Sequence, residues 1–132
     1  MQPVRPVNPR QKEKFRQLFI DQLTTLYRSV HADIRDSMVR ELFDDDEVRD
    51  EADESQGEQL RDLRVQLAEG DALRAQLMEE ALRRIQRDEF GKCIACGNEI
   101  GVARLELVPW APRCIDCQEA VEAEARMRPP TL

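Results

Sequence analysis

Two short cysteine motifs decide the fold of this chain: Cys93-Ile94-Ala95-Cys96 and Cys114-Ile115-Asp116-Cys117. They contain all four cysteines of the sequence, and 17 residues separate them. This spacing is typical of a four-thiolate zinc site, because two residues between cysteines allow one tight turn that directs both sulfurs inward. Gly97 follows the first motif and supplies the backbone freedom that such a turn requires. The motifs predict one structural zinc ion, with ligands Cys93, Cys96, Cys114 and Cys117 and no open coordination position.

Two other chemistries remain open for these thiols. Disulfides belong mainly to secreted proteins, and residues 1–9 contain no apolar core that would serve as a signal peptide. Zinc is therefore favoured over two disulfides. A redox switch is the second alternative, since thiolates are the reactive form of cysteine and their oxidation would eject the metal.

Composition narrows the fold class and the partners. The chain has 132 residues, of which 36% are charged and 5% are aromatic, and its net charge is −7. One domain of long amphipathic helices suits this composition better than a thick globular core. The negative charge argues against direct binding to DNA or RNA phosphates, and no apolar run approaches the ~18 residues that span a bilayer. We expect a cytoplasmic protein that binds neither DNA nor membranes.

Apolar residues at spacings of three and four predict two long helices that form an antiparallel coiled-coil hairpin over residues 10–88. The seam of the first arm, from about Arg10, consists of Phe15, Phe19, Leu23, Leu26, Val30, Ile34, Met38 and Leu42. The second arm is predicted from about Gln56 to Asp88, with a weak point at Gly70-Asp71. Residues 41–54 between the arms hold nine acids and one arginine, which predicts an acidic tip at about 44–55.

The remaining segments are predicted from turn signals. Residues 1–9, with three prolines, are expected to be an extended lead-in, and residues 89–117 a zinc module. Between the cysteine motifs, residues 98–108 alternate loosely and favour a short β-hairpin with Ile100, Leu105 and Leu107 on its covered side. Trp110 is expected to pack against the metal site or the helix base rather than to anchor a partner. A last helix is predicted from Gln118 to about Met127 within a C-terminal segment, 118–132.

One continuous phrase resembles a known family of bacterial regulators. The stretch Asp88-Glu89-Phe90-Gly91-Lys92-Cys93-Ile94-Ala95-Cys96-Gly97 is followed by Glu99-Ile100-Gly101, Arg104-Leu105-Glu106 and Cys114-Ile115-Asp116-Cys117. It is similar to the phrase D-x-F-G-x-C-x-x-C-G-x-x-I, then R-L-E and C-I-x-C, of the DksA/TraR family. The resemblance covers about residues 80–122, whereas the hairpin resembles the family in layout only. It implies a regulator of RNA polymerase whose hairpin enters the secondary channel.

The resemblance also implies roles for residues outside the zinc site. The family tip carries D-x-x-D-x-A, and Asp50, Asp53 and Ser55 stand in the matching places, with serine instead of alanine. Ser55 with Glu58 also reads as a helix capping box, and Asp53 as a second N-cap. Arg104 matches an arginine that contacts the rim of the channel.

Members that respond to guanosine tetraphosphate hold it with basic residues. The matching places here are Leu77, Val108 and Gln118, none of which is basic. A ligand with several phosphate charges needs Lys or Arg partners. The resemblance therefore implies weak or absent synergy with this alarmone.

We expect a monomeric, non-enzymatic transcription regulator that binds RNA polymerase. Two rival functions remain open: a zinc-stapled coiled coil that docks on another protein, and a transcript-cleavage factor that holds Mg²⁺ with its acidic tip. The sequence offers no nucleophile–base pair and no phosphate-binding glycine loop. The single histidine, His31, lies mid-helix and is not expected to bind metal.

Overall fold

The computed structural model describes residues 4–30 and 53–128. Within them the chain forms helices and no β-strand: α1 Pro9–Val30, α2 Asp53–Arg64, α3 Glu69–Gln86, α4 Val102–Leu107 and α5 Ile115–Met127. The prediction of a mainly helical fold is confirmed. In this part of the chain, no helix combines the length and the apolar character that crossing a membrane requires.

The chain divides into two compact units. Pro9–Phe90 forms the helical unit, which contains α1, α2 and α3. The zinc unit combines residues 4–8 with residues 91–128, and it contains α4 and α5. The two ends of the chain therefore share one unit.

Helices α1 and α3 pack side by side in opposite directions. Near the start of α1, Lys12 Nζ lies 3.2 Å from the Asp88 carboxylate, just beyond the end of α3. Near the described end of α1, the buried Tyr27 lies beside Glu79 in the middle of α3. Residue numbers rise along one helix as they fall along the other, so the predicted antiparallel hairpin is confirmed.

The hairpin buries part of the seam that the spacing of apolar side chains predicts: Phe19 and Leu23 are buried, whereas Phe15, Leu26 and Val30 are half-buried. Its buried members are Phe19, Ile20, Leu23, Tyr27, Leu60, Leu63, Ala75, Met78, Ala81, Leu82 and Ile85. Three phenylalanines close one end: the rings of Phe15 and Phe19 lie 5.6 Å and 5.9 Å from that of Phe90. Aromatic pairs at these separations add to the stabilisation that burial alone provides.

The prediction of one continuous second arm from Gln56 to Asp88 is wrong. Helix α2 begins at Asp53 and ends at Arg64, and α3 begins only at Glu69. Between them the backbone N–H of Leu67 donates to the carbonyl oxygen of Arg64, a tighter turn than that of an α-helix. Acidic Glu69 and Asp71 occupy the first turn of α3, where the helix dipole stabilises negative charge, and this favours a new helix start. Gly70 lies inside α3, after the break.

The predicted β-hairpin over residues 98–108 is also wrong. A single antiparallel bridge joins Lys92 and Glu99, and residues 102–107 form α4. Gly101, at φ 97°, ends the extended run, and the strong helix formers Ala, Arg, Leu and Glu follow it. Ile100 and Leu105 are buried as predicted, whereas the Leu107 side chain is 84% exposed.

One further difference concerns the C-terminal part. The last helix begins at Ile115, three residues before the predicted Gln118, so that Cys117 lies in its first turn, and it ends at Met127 as predicted. Trp110 is half-buried in the turn that follows α4.

Candidate metal centre and regulatory residues

The first cysteine motif is built on a tight turn between two bridged residues. The backbone N–H of Cys93 donates to the carbonyl oxygen of Asn98 over 2.8 Å, and that of Gly97 donates to the Cys93 carbonyl over 2.9 Å. Gly97 has φ 77°, a conformation that residues with a Cβ rarely adopt. The freedom expected of Gly97 is therefore used to fold the chain back between Cys93 and Cys96.

The second cysteine motif is built on the beginning of a helix. Cys114 is the N-cap residue of α5, and its carbonyl oxygen accepts a hydrogen bond of 2.9 Å from the N–H of Gln118. The first turn of the helix then places Cys117 on the same side as Cys114. A backbone hydrogen bond of 2.9 Å from the N–H of Ile94 to the Pro112 carbonyl oxygen joins the first motif to the loop before the second.

All four sulfurs converge on one point. The Sγ atoms of Cys93, Cys96, Cys114 and Cys117 lie within 4.8 Å of one another, and those of Cys96 and Cys114 are 3.8 Å apart. A tetrahedron of four sulfurs at about 2.3 Å from Zn²⁺ has edges of about 3.8 Å, so the cluster fits this ion. The cysteines are unpaired thiols rather than disulfides. The predicted zinc cofactor is confirmed, and its role is structural because four protein ligands complete the coordination shell.

Neighbouring backbone groups prepare the cluster for a cation. Burial raises the pKa of the Cys93 thiol, but backbone N–H groups of Cys114, Cys96 and Ala95 outweigh this effect and lower that pKa to about 6. The thiols of Cys114, Cys93 and Cys96 raise the pKa of Cys117 to about 12. The backbone donors therefore favour the thiolate form of Cys93, whereas the neighbouring thiols disfavour that of Cys117. A bound zinc ion supplies the positive charge that favours all four thiolates.

The N-terminal residues cover the zinc unit, a feature that the sequence analysis missed. The N–H of Val102 donates to the carbonyl oxygen of Arg5 over 3.0 Å. Val4 and Val7 lie against Gly101 and Gly91, both at positive φ; a Cβ on Gly101 would lie 2.8 Å from Val4 Cγ1. The only available signal was the alternation of Val4 and Val7 with proline, which by itself indicated an extended segment.

Arg104 lies in α4 and is half-buried. Its Nε–H donates to the carbonyl oxygen of Arg113 over 3.0 Å, directly before the second cysteine motif. One donor of this guanidinium is therefore committed to the loop that presents Cys114. The predicted contact of Arg104 with the polymerase rim stays a prediction.

The tip residues lie at the limit of the described residues. Asp53 is the first residue of α2 and Ser55 lies within this helix. Asp50 lies outside the described residues, as do most of the acidic segment, the distal seam of the first arm and His31. The three positions matched to alarmone-binding residues, Leu77, Val108 and Gln118, are all half-buried.

Similarity to known proteins covers both units of the chain. Residues 88–123 match the family model of the prokaryotic dksA/traR C4-type zinc finger. The chain is also similar to a solved structure, transcription factor DksA2 from Pseudomonas aeruginosa: sequence identity is 31%, the TM-score is 0.57, and the match covers 90% of this chain and 88% of that chain. The chain belongs to the DksA/TraR family.

Curated DksA proteins are similar to part of the chain. The RNA polymerase-binding transcription factor DksA of Haemophilus influenzae is 47% identical over 45 residues, 34% of this chain and 31% of that protein. DksA of Escherichia coli strain K12 is 44% identical over 45 residues, 34% of this chain and 30% of that protein. The aligned stretch spans about a third of the length of these relatives.

Proposed function

We propose that this protein is a non-enzymatic transcription regulator that binds RNA polymerase and inserts its hairpin into the secondary channel. The observation that carries the proposal is the match to DksA2 over 90% of the chain, which includes both the hairpin and the zinc unit. The names of the curated relatives, RNA polymerase-binding transcription factors, support the same partner. The protein acts as a monomer in the cytoplasm and does not bind DNA or membranes.

The tip is the part of the hairpin that acts on the polymerase. Asp50, Asp53 and Ser55 carry this role, and the nine acids of residues 41–54 give this end its negative charge. A narrow channel lined by basic groups, or one that ends at Mg²⁺, attracts such an end electrostatically. Arg104 pairs with acidic side chains at the rim of the channel, through the guanidinium donors that the Arg113 carbonyl leaves free.

An Asp53→Asn variant tests the tip. In a purified transcription assay, its effect on promoter output should be at least tenfold weaker than that of the native protein. Its affinity for core polymerase should change less than twofold. Glu58→Gln is the matched control, because it removes one exposed carboxylate from the same helix and should leave the effect intact. Equal activity of Asp53→Asn would contradict a working tip.

Two measurements separate this function from its rivals. Purification of the tagged protein without polymerase subunits would favour an interaction module for another partner. Mg²⁺-dependent trimming of backtracked RNA would favour a transcript-cleavage factor. We expect polymerase subunits in the first experiment and no trimming in the second.

The response to guanosine tetraphosphate should be weak or absent. Leu77, Val108 and Gln118 offer no charge to a ligand with several phosphate groups. Saturating alarmone should change the effect on transcription by less than twofold. A stronger synergy would show that other cations of the chain replace the missing ones. Val108→Arg combined with Gln118→Lys is the matched gain-of-function variant.

A further inference from the structure

A fully buried carboxylate lies where the three helices of the hairpin meet. The Glu79 side chain on α3 is 0% exposed, and among the described residues it is the charged side chain buried most completely. Arg64 Nη1 donates to both of its oxygens, over 2.8 Å to Oε1 and 2.6 Å to Oε2. Tyr27 of α1 is also buried. Burial, and then the nearby negative charge of Glu79, raise the pKa of its hydroxyl.

The partner of this carboxylate lies across the helix break. Arg64 is the last residue of α2, whereas Glu79 lies 15 residues further on, in α3. Residues 65–68 between the two helices have no α-helical continuity. The turn at the break is closed by single backbone bonds, such as that of Leu67 to Arg64, and no α-helical ladder runs through it, so side-chain contacts help to define the angle between α2 and α3.

The other contacts that α2 makes with the described residues are less directional. In the described part of the chain, α2 packs lightly on α1 and α3, whereas α1 and α3 pack extensively on each other. Its buried side chains there are Leu60 and Leu63, and apolar burial is non-directional. In the Arg64–Glu79 contact, one nitrogen, Arg64 Nη1, lies within hydrogen-bond distance of both carboxylate oxygens, and hydrogen bonds depend on direction as well as on separation.

Stability alone does not account for a buried ion pair. The cost of removing two charges from water often exceeds the attraction between them, and apolar replacements of similar volume are frequently neutral or stabilising. A contact of this kind is instead suited to selecting one arrangement among several of similar energy.

The direction of α2 determines where its first residue lies. Helix α2 has 12 residues. At 1.5 Å per residue it is about 18 Å long, so that a change of about 10° at the break moves its far end by about 3 Å. That far end is Asp53, one of the two proposed tip aspartates.

We propose, on the basis of the polymerase-regulating function above, that the Arg64–Glu79 ion pair is a positioning contact that sets the direction of α2. Arg64 and Glu79 are positioning residues: Glu79 is inaccessible to any partner, and both act on the polymerase only through the placement of Asp53. Loss of the pair should leave the fold and the affinity for polymerase intact and remove the effect on transcription.

The decisive variant is Arg64→Met with Glu79→Met, which removes both charges and keeps apolar volume. Its thermal stability should equal or exceed that of the native protein. Its affinity for core polymerase should change less than twofold, and its effect on promoter output at equal occupancy should fall at least tenfold. Glu124→Gln with Arg128→Gln is the control, because it removes an exposed ion pair of the zinc unit and should change none of these quantities.

A distance measurement reports the direction of α2 without any polymerase. Spin labels on non-natural ketone side chains at Glu58 and Glu80, both exposed, avoid the cysteines. Electron–electron resonance should give one narrow distance for the native sequence and a broadened or shifted one for the double methionine variant. Arg64→Lys retains the positive charge and a donor, so it should restore a narrow distance and most of the transcriptional effect.

The outcomes are distinct. A double methionine variant that keeps both the narrow distance and the full effect overturns the positioning role, as does loss of the effect at an unchanged distance. If this variant fails to fold, Arg64→Lys compared with Arg64→Ala decides, and equal distances in those two variants overturn the role. If the native protein has no effect on polymerase, the proposed function fails. In that case the distance measurement alone decides whether the pair directs α2.

Discussion

The backbone N–H of Ile94 donates a hydrogen bond to the carbonyl oxygen of Pro112 over 2.9 Å. This bond joins the loop of the first cysteine motif to the loop that precedes the second. Because it is made by backbone atoms, it does not depend on the side chains of either motif. It helps to bring two pairs of sulfurs into one cluster, although a single bond between loops cannot hold four thiolates together against their mutual repulsion.

Removal of zinc should unfold the zinc unit and spare the hairpin. Metal binding to a four-cysteine site is coupled to folding, so the affinity for zinc contributes to the stability of residues 91–128. Cys114→Ser should abolish binding of one zinc per chain and strongly increase amide hydrogen exchange in residues 91–128, with little change in Pro9–Val30. Asp116→Asn, which lies between the same two cysteines, is the control and should retain zinc. Unchanged exchange in Cys114→Ser would contradict a structural role for the metal.

Gly101→Ala should destabilise the zinc unit by at least ~2 kcal/mol. The backbone at Gly101 has φ 97° and ψ 143°, which is strained for any residue with a Cβ, and the added methyl would lie 2.8 Å from Val4 Cγ1. Fluorescence of Trp110, the only tryptophan of the chain, reports unfolding of this unit. Val4→Ala in the same protein should recover only the part of the loss that is due to crowding.

Gly70→Ala is the matched control for Gly101→Ala. Gly70 lies in the first turn of α3, and no atom lies within 4 Å of the position that a Cβ would occupy. Alanine is a better helix former than glycine, so this change should stabilise the hairpin by up to about 1 kcal/mol in a circular dichroism melt. Destabilisation by both variants would show that the conformation of Gly101 is not the cause.

The stability of the hairpin should fall as pH rises above the range in which ordinary glutamates titrate. Burial raises the pKa of Glu79 above its usual value, in spite of Arg64. The folded state therefore holds a proton that the unfolded chain releases near about pH 4.3, and this contribution to stability is lost as pH rises through the higher folded pKa. The unfolding free energy of Glu79→Gln relative to the native protein should increase over that interval.

A second substitution checks that the carboxylate causes this trend. Glu79→Leu also lacks a titratable group, so its pH dependence should parallel that of Glu79→Gln in chemical denaturation. A relative stability that decreases as pH rises would show that the attraction of Arg64 outweighs the effect of burial.

Arg104→Gln should accelerate the loss of zinc. The variant removes the hydrogen bond of Arg104 to the Arg113 carbonyl, a contact of about 1 kcal/mol, and so loosens the loop before Cys114. Zinc release to a chromogenic chelator should become up to about fivefold faster. Arg126→Gln removes an exposed arginine from α5 and is the control. If Arg104 also contacts the polymerase rim, Arg104→Lys should keep more of the affinity for polymerase than Arg104→Gln does.

The sequence allowed prediction of the features that depend on side-chain chemistry and spacing. Four thiols in two C-x-x-C motifs have few common arrangements other than one metal site, and the apolar seam of the first arm requires a partner helix. Both features can be recognised from residue types and their spacing alone, without knowledge of the tertiary contacts. Phe19 and Leu23 of the predicted first-arm seam are buried, whereas Leu26 and Val30 of the same seam are half-buried.

The features that were missed depend on competition between local and distant contacts. A loose alternation over residues 98–108 suits a strand, but the positive φ of Gly101 and the helix-forming residues after it favour α4. Gly70 marked a weak helix, whereas the break lies at residues 65–68 and is accompanied by a salt bridge between residues 15 positions apart. Sequence periodicity does not predict a contact between residues so far apart. For the same reason it does not predict the packing of Val4 and Val7 against Gly101 and Gly91.

Residues 4–8 share a unit with residues 91–128, and this gives the chain the topology of a domain insertion. The hairpin interrupts a zinc domain whose first segment is synthesised long before its last cysteine. A fragment that starts at Asp88 would contain every metal ligand but lack the valines that cover Gly91 and Gly101. For the zinc unit to fold without the hairpin, residues 4–8 should therefore have to be joined to residues 91–128, by a linker or by circular permutation.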